Sequence, residues 1–428
     1  PMRPLTTLIL TMLLLTAILI SAFGQVEDEA GGCTTALISG SATVDGRPLL
    51  WKNRDVSRWE QEFHFYDENP YNFISVTYAN VDTEAWGGVN EVGFAIENSN
   101  ALNLTGGTGA DDDGLIIYKA LATCETVADF RSIMDSTNIT GRTRASAYGV
   151  FDRFGNGGIF ECDQYTYTFF DINDSTAAPN GIMVRSNFAY TGGANHVGQH
   201  RHDRAEALLQ QAYRQNVLDA RYLFDTVDRD IVNEWVNPYP LPYTGWLGDT
   251  LYGCIRTHTA INREFTASAL VIQGIRPGEN PLTCTLWAQV GEPIMTPALP
   301  LWVAAGSVPV ELDAEYSALC NWSQLFGRTL YLPYPDPYDD IIDTWLLDNN
   351  QDRGSLVLLR MLEDMYYDQV QQQVNIWRQN MPPSRRIERI QNYISYEVYT
   401  LLQRYTAPFR VEYVEEVEVN GSLHLSWK

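Results

Sequence analysis

Residues 31–55 read GGCTTALISGSATVDGRPLLWKNRD and decide the interpretation of the whole chain. Residues 36–44 carry the apolar and β-branched pattern of a strand. Asp45-Gly46 is typical of a tight hairpin turn, and residues 47–52 predict the return strand. Cys33 is therefore expected at the start of an antiparallel hairpin, with Asp55 at the far end of its second strand.

The rest of the chain up to about residue 337 mixes strands with helices. A second hairpin is predicted about the turn Asn90-Glu91-Val92. Helical periodicity and strand composition together predict an α+β fold of two stacked sheets covered by helices. The predicted helices are 115–122, 127–134 and 201–215, and the predicted strands are 147–152, 158–161, 165–170, 265–273 and 283–290.

From residue 338 onward the pattern becomes helical. One helix is predicted over 352–380, and Ser384 is expected to cap the next. Apolar residues at heptad-like spacing along that second helix predict a helical hairpin packed on the preceding domain, and a homodimer contact is the alternative. Residues 410–427 alternate and turn at Asn420-Gly421, which predicts a closing β-hairpin.

Composition restricts the class of protein. The 428 residues include 53 acidic and 29 basic side chains, for a formal net charge of −24. A surface of this charge repels phosphate backbones, so no nucleic-acid partner is expected. The chain is 45% hydrophobic and 19% charged, which is the composition of a globular protein rather than a disordered one.

The first residues have the pattern of an export signal. Arg3 precedes the apolar run 8–20, which is shorter than the roughly 20 residues that span a bilayer. The small residues around Gly24 predict cleavage after residue 24, and a retained membrane anchor is the alternative. We expect a secreted or periplasmic protein with no stable membrane span after signal removal, in which 25–32 is a short removable pro-segment.

Cys33 follows this segment directly. If the Gly32–Cys33 bond is cut, Cys33 carries a thiol and a free α-amine, whose ordinary pKa of about 7.7–8.0 suits a general base. A nucleophile activated by its own terminal amine is a known catalytic arrangement. The alternative is a disulfide, because exported cysteines usually pair. The chain has six cysteines, at positions 33, 124, 162, 254, 284 and 320.

Cys33-Thr34-Thr35, the hairpin and Asn53-Arg54-Asp55 resemble the opening of the N-terminal-nucleophile (Ntn) cysteine hydrolases. The chain is most similar to the acyl-coenzyme A:6-aminopenicillanic acid acyltransferase family, with bile salt hydrolases and acid ceramidase-like amidases as more distant relatives. The resemblance extends to about Pro309. It implies a four-layer αββα sandwich of two stacked antiparallel sheets, with Cys33 at a strand end in the sheet interface.

The resemblance also implies roles for individual residues. Cys33 is the nucleophile, and Asp55 contacts its α-amine. Lys52 stands where bile salt hydrolases have a functional arginine, and the two cations are not equivalent at a bidentate site. The segment around Asn187 resembles the one whose asparagine amide faces the oxyanion. The second oxyanion position corresponds to Asn100, after the family-like turn at residues 88–94.

A later family segment carries an arginine, for which Arg256 is the first choice and Arg263 a close rival. No cofactor and no metal are expected. Three histidines near Asp203, at positions 196, 200 and 202, stand at a loop-to-helix junction instead of converging from fixed elements. A serine triad has no nucleophile-elbow sequence to support it.

The sequence thus predicts an exported, self-processing hydrolase of linear amides, with a small-molecule amide as substrate. Acyl transfer to an amine and dipeptide cleavage are variants on the same acyl-enzyme. A non-catalytic exported binding glycoprotein with Cys33 in a disulfide is the alternative from another class. The predicted organisation is signal peptide 1–24, pro-segment 25–32, catalytic domain 33–337 and a C-terminal extension 338–428.

We expect the mature chain to begin at Cys33 and a Cys33→Ala variant to retain residues 25–32, because the alanine has no thiol to attack the preceding carbonyl. Intact mass and N-terminal sequencing of both purified proteins measure this. The same uncut N-terminus in both proteins would refute self-processing.

Overall fold

The computed structural model describes residues 32–236, 240–247, 250–313, 317–332, 340–349, 351, 353–406, 414–419 and 422–427. The predicted signal peptide, the pro-segment up to residue 31 and the turn Asn420-Gly421 lie outside these residues. Within the described part of the chain, no helix combines the length and apolar character that a membrane span requires.

The first sheet has six strands and contains the hairpin that begins at Cys33. Every neighbouring pair is antiparallel, and the predicted pairing of the two strands that follow Cys33 is confirmed. The tight turn predicted at Asp45-Gly46 is wrong, because Ile38 pairs with Leu49 and residues 39–48 connect the strands. The first strand ends earlier than predicted, because a single helical turn, Gly40–Ala42, follows it. In spatial order the strands are β10 (Ile182–Arg185), β1 (Cys33–Ile38), β2 (Leu49–Asp55), β12 (Thr266–Gln273), β13 (Thr285–Val290) and β14 (Leu299–Leu301).

The second sheet has seven antiparallel strands in chain order. The hairpin predicted about Asn90 is confirmed, and the Asn90 side chain accepts from the Phe94 N–H at 2.9 Å. The strands are β3 (Gln61–Tyr66), β4 (Phe73–Tyr78), β5 (Gly87–Asn90), β6 (Ala95–Asn100), β7 (Ser146–Phe151), β8 (Gly157–Cys162) and β9 (Tyr167–Asp171). Two small ribbons pair β11 (Cys254–Arg256) with β15 (Ile341–Asp343) and β16 (Val414–Val419) with β17 (Ser422–Trp427).

Helices cover both sheets. The described helices are α1 (Asp113–Thr123), α2 (Val127–Thr140), α3 (Gln199–Gln215), α4 (Ala220–Tyr222), α5 (Ala318–Leu330), α6 (Ser355–Asp364), α7 (Tyr367–Gln379) and α8 (Ser384–Thr406). Strands β1 and β2 pack on β6 and β7, α1 and α2 cover the second sheet, and α3 and α8 lie against the first. The predicted α+β sandwich of two stacked antiparallel sheets is confirmed.

The prediction of one helix over 352–380 is wrong. The helix ends at Asp364, and a second begins at Tyr367. Tyr366 leaves the helical conformation with φ −124°, and its buried hydroxyl donates to the Ala298 carbonyl at 2.6 Å. A tertiary hydrogen bond therefore overrides the helical periodicity at this point.

A buried ion pair joins α6 to the part of the chain before β11. Arg229 donates to both oxygens of Glu363, at 2.9 and 2.6 Å, and the Ala298 N–H donates to the same carboxylate at 2.8 Å. Both side chains are almost fully buried. Arg229 Nη1 also donates to Asp225 Oδ1, at 3.3 Å. Removing the Glu363 charge leaves the buried guanidinium with this longer ion pair alone, which is costly.

We expect Glu363→Gln to lower the free energy of unfolding by about 3 kcal/mol, because Arg229 keeps its charge in the interior. Urea unfolding followed by circular dichroism measures the change. The matched control is Asp364→Asn, which removes an exposed ion pair with Arg221 and should cost less than about 1 kcal/mol. Equal losses in the two variants would contradict the assignment.

Candidate functional site

The hairpin register brings Cys33 to the end of β2. Cys33 lies opposite Arg54, and Thr35 lies opposite Lys52. Cys33 is 8% exposed. Directly paired residues of antiparallel strands point to the same face, so the Cys33 side chain shares a face with Lys52 and Arg54, and Asp55 lies on the other.

Asp55 is fully buried and is held by three side chains. Arg263 Nε donates to Oδ2 at 2.8 Å, Thr266 Oγ1 donates to Oδ1 at 2.8 Å, and Arg201 Nη1 lies 3.8 Å from Oδ2. We call these four residues the Asp55 group. Burial raises the pKa of Asp55, and the two guanidinium groups oppose that shift. The group concentrates positive charge beside the Cys33 backbone.

Arg201 connects Cys33 to the predicted oxyanion residues. Its Nη1 donates to the Cys33 carbonyl at 2.9 Å and to Thr34 Oγ1 at 3.0 Å, while Nη2 donates to Asn187 Oδ1 at 2.7 Å. With its oxygen engaged, Asn187 directs Nδ2 towards the Asn100 carbonyl at 3.3 Å. The structure thus brings Cys33, Asn187 and Asn100 together through one arginine.

Sequence reasoning missed Arg201. The residue lies on the buried side of α3, in line with Ala205, Leu208 and Ala212. These four residues are spaced as i, i+4, i+7 and i+11, which is the spacing of an apolar stripe on one side of a helix. A charged residue at the first of these positions is unusual in a surface helix. That interruption of the stripe was the available signal for a functional residue.

Gly32 lies against this same polar cluster. A Cβ built on Gly32 would stand 2.5 Å from Arg263 Nη2, 2.8 Å from Arg201 Nη2 and 2.8 Å from Asn187 Oδ1. No other residue type fits here unless these side chains move. The Gly32–Cys33 peptide bond therefore lies within reach of the groups that surround Cys33.

Lys52 is buried on the face of the sheet that also carries Cys33. Its Nζ donates to the Trp86 carbonyl at 2.7 Å and to Asn98 Oδ1 at 2.6 Å, and Asn98 Nδ2 donates to Asp113 Oδ2 at 2.8 Å. Burial lowers the pKa of Lys52, and the negative charge of a Cys33 thiolate opposes that shift. Lys52 is thus a buried basic group in the electrostatic environment of Cys33.

Of the two arginines named in the sequence analysis, the rival Arg263 belongs to the Asp55 group and the first choice Arg256 does not. Arg256 lies in β11 and donates to Asp340 at 3.0 Å. Arg263 is completely buried, and its donation to Asp55 comes from the loop just before β12. Arg256 and Arg263 each lie in or next to a predicted β-strand segment, so the sequence pattern alone could not decide between them.

The histidines near Asp203 make contacts within the protein. His202 Nε2 hydrogen-bonds with a tyrosine hydroxyl at 2.7 Å, and His196 stacks on a phenylalanine ring. Elsewhere Glu62, His64 and Asp313 each offer one ligand atom within 4.8 Å of the others. These are the residues that could hold a metal ion in the described part of the chain, and they have no part in the chemistry proposed for Cys33.

All six cysteines are buried thiols, and none is in a disulfide. Burial raises the pKa of three of them to about 12 and of two to about 11 (Cys124, Cys162, Cys284, then Cys254 and Cys320). The five are therefore poor nucleophiles at neutral pH. The alternative with a disulfide at Cys33 has no support in the structure.

No protein-family model matches the sequence, and no curated protein matches it. Similar solved structures include two variants of conjugated bile acid hydrolase from Clostridium perfringens, each 12% identical, with TM-scores of 0.38 and 0.37. Each match covers 60% of this chain and 89% of the hydrolase. Penicillin V acylase from Agrobacterium tumefaciens is 11% identical with a TM-score of 0.38, covering 63% of this chain and 86% of the acylase. At these values, the function proposed below rests on the geometry around Cys33.

Glu97 gives a pH test of the site's electrostatics. Burial raises its pKa to about 8, opposed by Lys52 and by a hydrogen bond with Thr35. Because the folded state holds this proton and the unfolded state releases it near pH 4.3, wild-type stability falls between about pH 4.3 and pH 8.

We therefore expect Glu97→Gln, which cannot ionise, to gain stability relative to wild type as pH rises from 5 to 8, by about 1.4 kcal/mol per pH unit. Urea unfolding at both pH values measures this, with the exposed Glu206→Gln as control. A difference from wild type that does not change with pH would contradict a protonated Glu97.

Proposed function

We propose that the chain is a self-processing cysteine Ntn hydrolase that cleaves a linear amide, a non-peptide C–N bond, through a thioester on Cys33. The observation that carries the proposal is the enclosure of Gly32–Cys33 by Arg201, Arg263 and Asn187. Arg201 donates to the Cys33 carbonyl, and all three side chains lie against Gly32, whose bond to Cys33 would be cut. The ordered resemblance of the sequence motifs to Ntn cysteine hydrolases gives separate support.

Processing needs only groups present around this bond. Cys33 Sγ attacks the Gly32 carbonyl carbon, the C–N bond breaks, and the thiol proton goes to the departing nitrogen. Water then hydrolyses the Gly32 thioester and regenerates the thiol. The products are the free pro-segment acid and a chain that begins with the α-amine of Cys33.

Substrate cleavage follows the same chemistry with the α-amine as base. The amine takes the Cys33 proton while Sγ attacks the amide carbonyl, and Asp55 holds the resulting ammonium. Asn187 Nδ2 and the backbone at Asn100 donate to the oxyanion, each donor contributing roughly 3–4 kcal/mol by analogy. Collapse returns the proton to the leaving amine and leaves the acyl group on sulfur.

Deacylation decides between hydrolysis and transfer. Water attacks the thioester with the α-amine as base, which releases the acid and restores the thiol. An amine in place of water gives acyl transfer, and a dipeptide substrate gives a dipeptidase. We take hydrolysis of a small-molecule amide as the primary reaction, in a secreted or periplasmic protein.

The proposal predicts that short-acyl p-nitroanilides are cleaved by wild type and that rapid quenching traps an acyl group on Cys33. Cys33→Ala should lose activity at least 10³-fold, and Asp55→Asn should lower kcat by about 10²-fold because the ammonium loses its acceptor. Absorbance of nitroaniline and peptide mass spectrometry provide the two measurements.

Cys254→Ala is the matched control, because it removes a buried thiol in β11 without touching the Asp55 group. It should retain wild-type rates. Undiminished activity in Cys33→Ala, or an acyl group trapped on another residue, would overturn the function.

A further inference from the structure

Arg54 is the middle residue of Asn53-Arg54-Asp55, and neither the sequence analysis nor the proposed mechanism gives it a role. It is 2% exposed and lies directly opposite Cys33 in the β1–β2 register. On its other side it pairs with Ser268 of β12. Paired residues point to one face, so Cys33, Arg54 and Ser268 form a row of neighbouring side chains.

The guanidinium is held in place by aromatic rings. Its Cζ lies 4.4 Å from the centroid of the Tyr78 ring and 4.8 Å from that of Trp86. Nη1 donates to Gln61 Oε1, and Gln61 is itself fixed by donation to the Arg58 carbonyl at 2.7 Å. Stacking and this one bond orient Arg54 without neutralising its charge.

Three polar atoms around Arg54 are buried without a hydrogen-bond partner among the described residues. They are Arg54 Nη2, Trp86 Nε1 and Ser268 Oγ. The hydrogen bond from Arg54 Nη1 goes to the neutral amide of Gln61, and no described carboxylate forms an ion pair with the Arg54 guanidinium. A buried cation and neighbouring donors without acceptors are rare in native proteins, because each loses its bonds to water. An acceptor-rich anionic group is the partner that Arg54 Nη2 lacks, and the other two atoms belong to residues next to Arg54.

We propose that Arg54, Trp86 and Ser268 select the substrate, by binding a carboxylate carried on the acyl half of the amide. The proposal rests on the proposed function, since it assumes that Cys33 takes the acyl group. That group stays bonded to Sγ and so extends on the face of the sheet that carries Arg54. The substrates of this class are monoamides of short dicarboxylic acids.

The first experiment compares matched substrates on the processed enzyme. Succinyl, glutaryl and adipyl mono-p-nitroanilides are each paired with their methyl esters, which keep the length and lose the charge. We expect kcat/KM to favour the best carboxylate at least 30-fold over its ester. In Arg54→Met the preference should fall to near unity while ester cleavage continues, and Arg54→Lys should retain part of it.

The second experiment needs no turnover. Iodoacetate and iodoacetamide alkylate the same thiol and differ in charge, and peptide mass spectrometry confines the measurement to Cys33. The ratio of the iodoacetate rate to the iodoacetamide rate should exceed that of a free thiol at least tenfold in wild type. Arg54→Met should lose this excess. Arg58→Met is the matched control, because exposed Arg58 also stacks on Tyr78, at 4.7 Å, and should keep the excess.

The outcomes separate the two proposals. Alkylation that favours iodoacetate through Arg54, with no amide cleaved, would refute the amidase and retain the anion pocket. Amide cleavage at equal rates for the carboxylate substrates and their methyl esters would retain the amidase and refute the anion pocket. A preference that survives in Arg54→Met, or that follows a carboxylate on the amine half instead, would overturn the assignment of Arg54. If Arg54→Met does not fold, a wild-type alkylation ratio no higher than that of a free thiol still refutes the pocket.

Discussion

The buried contact between Asp55 and Arg263 is the constraint on which the rest of the site depends. Asp55 ends β2, and Arg263 precedes β12, so their 2.8 Å bond fixes how two neighbouring strands end. Thr266 completes the contact from the first residue of β12. A carboxylate in this position has no water to solvate it and depends on these partners. The end of the sheet therefore has one geometry, and Cys33 is positioned by it.

Arg201 connects this arrangement to residues outside the β2–β12 strand pair. The sheet can align Cys33 with Asp55, but Asn187 follows β10 and Asn100 ends β6 of the other sheet. A helix packed on the first sheet supplies Arg201, which bonds to Asn187, and Asn187 in turn donates to the Asn100 carbonyl of the second sheet. The stacked-sheet architecture thus brings residues far apart in sequence around one short strand end.

The local sequence pattern predicted the strands, turns and helices that depend on neighbouring residues, but not the features that depend on tertiary contacts. The strand pair from Cys33, the turn at Asn90 and most helices depend on turn chemistry and periodicity, and these are readable. The break at Tyr366 was not, because a hydrogen bond to a distant carbonyl produces it. The choice between Arg256 and Arg263 likewise needed the docking of the loop before β12. Arg54 stood inside the most informative motif, yet its stacking on Tyr78 and Trp86 comes from another sheet.

The hydrogen bonds of Arg201 also limit how far α3 could move without disturbing the site. One guanidinium holds the nucleophile's carbonyl, the neighbouring threonine hydroxyl and the amide that faces Asn100. A small rotation of α3 would shift all three contacts together, since a planar fork cannot adjust its arms independently. Substitutions that move α3 would therefore disturb the contacts of Cys33, Thr34 and Asn187 together rather than one at a time.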